Sequence, residues 1–187
     1  MLIAGCTKAI APVDSGLQEQ ILHFGNGTEP QGLDPHIVTG VPEHHLLIAM
    51  CEGLTIANPK GGENLPGVAK SWTISPDGKT YTFYLQEDAK WSNGDQLTAS
   101  DFVWSWMRIL TPSLGSQYPD MLYYVKGAPE YHQGLTDDFT SVGVTAVNDF
   151  ELKVELTNAT PFFIKLLSHY STYPVHKDTV LKHGTID

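Results

Sequence analysis

The chain carries 187 residues, 21 of them acidic and 11 basic, for a net charge of −10, and 41% of it is hydrophobic. The scattered Lys and Arg offer no cluster with which to displace counterions from phosphates, which argues against a nucleic-acid partner. No apolar run approaches the roughly 18 residues of a membrane span, and the length suffices for one ordinary core, or for one domain with a small piece of another.

In chain order, Met1-Leu2-Ile3-Ala4-Gly5-Cys6 places small residues before a Cys, as at the end of a bacterial lipoprotein signal, although the positive part and most of the apolar part of such a signal are missing. Either Cys6 is a lipidation site and residues 7–20, bearing Pro, Ser and Gln, form a tether, or residues 1–6 are an apolar terminus with an ordinary Cys. In the second case a Cys6–Cys51 bridge would join a tail to a helix. Cys51 fits better as a small packed residue, because Leu47, Met50, Cys51 and Leu54 stand at helical spacing. Residues 21–26 read as a short strand ended by Gly25-Asn26-Gly27, and an extended path rich in Pro and Gly runs on to Pro42. A helix is expected over about residues 43–52, with Leu46, Leu47, Met50 and Cys51 inward and Gly53 at its end. Residues 54–58 are apolar enough for a strand ahead of the loop 59–66, which contains Gly61-Gly62.

Residues 67–110 are the most informative stretch. Trp72 and Ile74 share one face of a strand over 71–75, and Pro76-Asp77-Gly78-Lys79 supplies turn chemistry. Tyr81, Phe83 and Leu85 then alternate with Thr82, Tyr84 and Gln86 in a second strand, antiparallel to the first. A turn at Ser92-Asn93-Gly94-Asp95 precedes a helix that Thr98 caps with Asp101 three residues on. Phe102, Val103, Trp106, Ile109 and Leu110 line one face, Arg108 lies near the negative end of the dipole, and Pro112 stops the helix. Beyond the loop 111–119, a helix from Asp120 towards Tyr131 is expected to be interrupted or ended by Pro129. Residues 142–147 and 150–156 form a hairpin on Asn148-Asp149, with Phe150, Leu152, Val154 and Leu156 opposite Glu151, Lys153 and Glu155. Short helices follow at 162–167 and 179–183. Strands mixed with helices and joined by tight turns give an α+β fold, with a mixed, mostly antiparallel sheet and flanking helices.

Taken in order, the two strands, Ala89-Lys90-Trp91-Ser92-Asn93-Gly94-Asp95 and Thr98-Ala99-Ser100-Asp101-Phe102-Val103-Trp104-Ser105-Trp106 resemble the signature region of the extracellular solute-binding proteins of peptide ABC transporters, family 5. Residues 26–36, ending in Leu33-Asp34-Pro35-His36, are similar to the family's opening, and residues 144–152 to its later hairpin. Thr39-Gly40-Val41-Pro42-Glu43 and residues 161–167 are nearest the oligopeptide and murein-peptide branch. The family's chains are several hundred residues longer, so the resemblance implies the N-terminal part of a two-lobed periplasmic-binding-protein fold of type II, cluster C-like. Residues 21–52 would start the first lobe, 53–175 form a small second domain, and 176–187 return towards the first lobe. The implied protein is an oligopeptide-binding component of an ABC import system in the periplasm or at the cell surface. It would be a monomer, anchored by lipid if Cys6 is lipidated, with permease subunits as partners, no cofactor and no catalytic step. Murein tripeptide, dipeptide, haem or a metal chelate stay open as ligands, as does an envelope hydrolase that reuses the sheet.

Thr39-Gly40-Val41 carries the best site argument. Pro42 drives Val41 towards an extended conformation and Gly40 lets another backbone approach, so the segment offers main-chain N–H and C=O groups in strand-like geometry, as a peptide of arbitrary sequence requires. The resemblance matches these residues to the first-lobe segment used for that purpose, and Tyr118 to a position lining the peptide site. The alternatives are a plain connector and a loop aromatic pinning its own loop. His169, just after the family-like segment 162–167, is placed to face the cavity. No metal is expected: His44 and His45 point about 100° apart on a helix, and His176 and His183 lack a third ligand at suitable spacing. Asp137-Asp138 and Glu87-Asp88 fall in hydrated turns, and no nucleophile elbow, phosphate loop or dinucleotide fingerprint is present. Trp72 and Trp106 belong to core faces, while Trp91 and Trp104 are undecided between core and platform.

Overall fold

A computed structural model describes residues 11–184, so the expected signal at 1–6, with Cys6, lies outside the described residues. Helix α1 (Pro12–Glu19) occupies most of the stretch expected as a tether, and Pro stands in its first turn, where a missing N–H costs nothing. Residues 21–26 form no strand, because no neighbouring strand among the described residues supplies the ladder; Ile21, Leu22 and Phe24 are exposed. Helix α2 (Val41–Met50) starts two residues earlier than expected, with Pro42 again in the first turn. It buries Leu47, but Met50 and Cys51 point outward, which corrects the expected inward face. Gly53 does not end this helix. An added Cβ there would strike the Tyr173 ring, so Gly53 allows residues 53 and 173 to approach closely.

A two-stranded ribbon of β1 (Thr55–Ile56) and β2 (Leu65–Pro66) leads into the hairpin β3 (Ala69–Ile74) and β4 (Thr80–Leu85). Gly78, at φ +69°, provides the left-handed residue of the connecting turn. Helix α3 (Ala99–Leu110) follows, and the Asp101 carboxylate accepts from the Thr98 N–H at 2.7 Å and the Thr98 hydroxyl at 3.0 Å. Pro129 lies inside the first turn of α4 (Ala128–His132), so it starts a helix and does not end one. The chain reverses just before it at Gly127, φ +74°. The hairpin β5 (Val144–Asn148) and β6 (Glu151–Glu155) completes a four-stranded antiparallel sheet in the order β3-β4-β6-β5. Helices α5 (Phe163–Leu166) and α6 (Lys177–His183) close the described chain.

The alternation sets the core. Tyr81, Phe83 and Leu85 of β4 and Leu152 and Val154 of β6 face Phe102, Trp106, Ile109 and Leu110 of α3, all essentially solvent-free. Burying each such side chain contributes about 1.5–3 kcal/mol. Trp72 is half-buried on the edge of this cluster, and Ile74 is exposed at the strand end. Trp106 packs in the core and donates its indole N–H to the Thr172 carbonyl at 3.0 Å. Ser105 also ties α3 to the returning chain, its Oγ accepting from the Val175 N–H at 2.9 Å.

Candidate functional site

The chain between Gln31 and Val41 has little regular structure and is held by side chains of other segments. Glu43 folds back so that its carboxylate accepts the Gln31 N–H at 2.7 Å, and it fills the space where a Cβ on Gly40 would sit. Gly40 is therefore needed to admit its own neighbour's carboxylate, where the sequence suggested room for another backbone. Tyr170 donates its hydroxyl to the Val38 carbonyl at 2.9 Å, and the Tyr118 hydroxyl lies 3.5 Å from the Thr39 carbonyl. The next residue, Gly40, is extended at φ −83°, ψ 157°, but Val41 is the first residue of α2. The strand-like stretch is thus shorter than expected: the Gly40 carbonyl accepts the His44 N–H at 3.0 Å and turns the chain into the helix. Val41 stays 66% exposed, and its N–H belongs to the first turn, where no intrahelical carbonyl reaches it.

Three of the five candidate residues converge. The Tyr118 and His169 rings meet nearly edge to face at 5.2 Å, beside Thr39, and Tyr170 stands 6.2 Å from Tyr118. Gly40 and Val41 continue directly from this wall. The sequence reading missed two members, His44 and Tyr170. His44 projects from α2 to 5.5 Å from Tyr170 and 6.4 Å from His169. Burial, reinforced by the neighbouring His44, lowers the His169 pKa below its ordinary 6.5 despite Asp120 nearby. Burial pushes Tyr170 up to about 12. Near neutral pH His169 and Tyr170 therefore favour their uncharged forms, and main-chain groups run along the rim of this aromatic wall.

A second group was read only in part. Arg108 is buried at the end of α3 and grips Asp34 through two bonds, Nη1 to Oδ1 at 2.9 Å and Nη2 to Oδ2 at 2.6 Å. The same Nη1 lies 3.0 Å from Nδ1 of buried His36, whose Nε2 lies 3.0 Å from the Tyr173 carbonyl. A carbonyl can only accept, so Nε2 carries the proton and Nδ1 accepts from the guanidinium. Burial is the main force pulling the His36 pKa down, to about 4, with the Arg108 charge acting the same way. Burial pushes the Asp34 carboxyl up, but its bonds to Arg108 and the His36 N–H outweigh this and hold it below 3.8. The available signal was Arg108 at the margin of an otherwise apolar helix face.

A groove of about 1090 Å³ runs between α2 and the turn after β4, lined by Ile48, Cys51, Trp91 and Tyr173 among others and sharing His44 with the aromatic wall. None of the five candidate residues lines it. Among the described residues no cluster of His, Cys, Asp or Glu is arranged to hold a metal ion.

Comparison with known proteins gives a consistent result. Residues 64–185 match the bacterial extracellular solute-binding proteins, family 5 Middle. The periplasmic oligopeptide-binding protein OppA of Escherichia coli is 42% identical over 98% of this chain and 34% of its own length. The oligopeptide-binding protein OppA of Bacillus subtilis is 41% identical over 87% of this chain and 29% of its own. Among solved structures, Haemophilus influenzae OppA in complex with RPPGFSPFR superposes with a TM-score of 0.80 at 40% identity, covering 85% of this chain and 31% of that one. The unliganded open form of the murein tripeptide-binding protein MppA gives 0.78 at 36% identity, covering 82% and 30%. The chain thus spans about a third of the length of the relatives it matches, and its architecture is a partial domain of the periplasmic peptide-binding fold. The chain belongs to the bacterial extracellular solute-binding proteins, family 5.

Proposed function

We propose that the chain contributes one wall of an oligopeptide site in the substrate-binding component of an ABC importer. The observation that carries this reading is the rim at Thr39, Gly40 and Val41. Main-chain groups there stand beside Tyr118 and His169, and exposed Val41 carries the first N–H of α2, which no intrahelical carbonyl reaches. Main-chain contacts hold an extended peptide whatever its sequence, and the aromatic wall supplies contact area. The similar OppA of H. influenzae is known in complex with a peptide, which supports an oligopeptide as ligand. In this reading the peptide is enclosed when a second lobe closes over the rim, and the closed form is presented to the permease subunits. The protein acts in the periplasm or at the cell surface as a monomer, with Cys6 as its lipid anchor, and performs no chemistry on the peptide. Residues 21–52 open the first lobe, 53–175 make the small second domain, and 176–187 return towards the first lobe.

The test is a chimera in which residues 11–184 replace the matching third of the E. coli relative. Val41→Pro removes this N–H at a helix position that tolerates Pro, after a Gly40 already in the extended region that a following Pro requires. Calorimetry with three peptides of unrelated sequence should show a loss on the order of 1 kcal/mol for each. Unchanged affinity for all three would return the segment to the role of a connector. The chain alone, without a second lobe, should bind the same peptides more weakly than about 1 μM.

A further inference from the structure

We propose that Arg108 is a positioning residue for the peptide rim: by gripping Asp34 and His36 from the buried side of α3, it fixes the main-chain path of residues 37–41. This inference rests on the oligopeptide reading above.

The path has few other means of support. Residues 34–36 carry no sheet ladder and Ile37 and Val41 are exposed, so apolar support is confined to buried Pro35 and to Val38, which packs against the small cluster of Leu47, Tyr170 and Tyr173. Beside that contact the segment is held by polar ties to residues distant in sequence, and the Arg108 tie differs from the rest. It is charged, two-pronged and shielded from water, with the Arg108 side chain 5% exposed against 34% for Asp34. A forked guanidinium on a carboxylate constrains direction as well as distance. The third contact, to His36 Nδ1, extends the constraint to the Tyr173 carbonyl, so one guanidinium joins three segments: 34–36, the end of α3 and the returning chain at 173. Tyr170, three residues before Tyr173, pins Val38, and Tyr118 approaches Thr39. The rim thus begins three residues beyond His36, too few for much slack. Lys cannot reproduce the arrangement: it has one nitrogen where Arg uses two on the carboxylate and shares one with the imidazole.

The inference is tested in two ways. Hydrogen exchange on the 187-residue chain follows amides 37–44 with and without Arg108→Gln; faster exchange confined to these residues is expected, and unchanged exchange overturns the proposal. In the chimera, Arg108→Gln should raise peptide Kd at least about tenfold, with Arg108→Lys intermediate. Leu152→Ala, a core truncation in β6 far from the rim in sequence, serves as the control for general destabilisation and should move Kd by less than about twofold. If Arg108→Gln leaves Kd unchanged, or raises it no more than an equally destabilised Leu152→Ala, Arg108 is structural only. Should Arg108→Gln not fold, Asp34→Asn weakens the grip from its more exposed end and is read by the same criteria. A chimera that binds no peptide even with Arg108 intact defeats the oligopeptide reading, and the exchange measurement still decides whether Arg108 governs the segment.

Discussion

The sheet with its covering helix and the N-terminal segment up to Met50 are held by different forces. Between Leu54 and Leu167 one continuous apolar cluster joins β4, β6 and α3, and residues facing it are almost fully buried. Before Met50 apolar contact is sparse: Leu22 is 88% exposed, Phe24 60% and Met50 63%, and the segment adheres through hydrogen bonds, one buried ion pair and a small cluster in which Val38 and Leu47 meet Tyr170 and Tyr173. The first region carries its own stability. The second takes its position from the first, so a few contacts, most of them polar, decide where the candidate site lies.

The largest effect should come from breaking the first region. Phe102→Ala removes a fully buried ring between helix and sheet and should cost about 3–5 kcal/mol, read by urea unfolding. Because the total for a domain is only about 5–15 kcal/mol, the unfolding midpoint should fall by a large fraction of its value. The same contrast predicts exchange rates in the unaltered protein: amides of β4 and β6 slow, those of residues 21–33 fast.

Acid should act at the junction between the regions. The fold keeps His36 neutral down to about pH 4, whereas the unfolded chain takes up a proton near 6.5. The unfolded state therefore binds more protons in this window, and stability falls as pH drops from 6.5 to 4, by on the order of 3 kcal/mol. The Asp34 contribution has the same sign at lower pH: its carboxylate is favoured by the fold, so that stability is present above 3.8 and lost as the pH falls through its depressed value. Melting temperatures at pH 7, 5 and 4 measure this. His36→Gln, which does not titrate, should flatten the upper part of the curve; an unchanged slope would place the acid sensitivity elsewhere.

The same division explains what could be read from the sequence. β4, β6 and α3 were legible because their patterns are local: a period of two at Tyr81, Phe83 and Leu85, and a helical face at Phe102, Trp106 and Ile109. The outward turn of Met50 and Cys51 and the missing strand at 21–26 were not, because both depend on which distant chain covers or pairs with them. Pro42 and Pro129 were misread for a related reason, since Pro breaks a helix interior but suits a first turn, and choosing between these needs the boundary in advance. Thr39, Tyr118 and His169 could be singled out by resemblance. Arg108 near the end of an amphipathic helix fitted a role at the helix dipole equally well, and its partners stand more than seventy residues away.

Two tyrosines near the rim allow a finer test. Tyr170 is 2% exposed and its hydroxyl is 2.9 Å from the Val38 carbonyl, so Tyr170→Phe should leave that carbonyl unsatisfied and cost about 1 kcal/mol. Tyr118 is half-buried and its hydroxyl reaches Thr39 only at 3.5 Å, beyond the range of a good hydrogen bond. Tyr118→Phe should therefore cost less than Tyr170→Phe, since it keeps the ring contact with His169 and loses only the long Thr39 contact and the hydroxyl contact with Tyr170, leaving the Val38 carbonyl satisfied. Urea unfolding of the two single variants and the double variant sets Tyr170 apart as a pin and Tyr118 as wall, provided the effects add. A Tyr118→Phe loss as large as that of Tyr170→Phe would show that the long contact shortens in solution, and that Tyr118 also holds the rim in place.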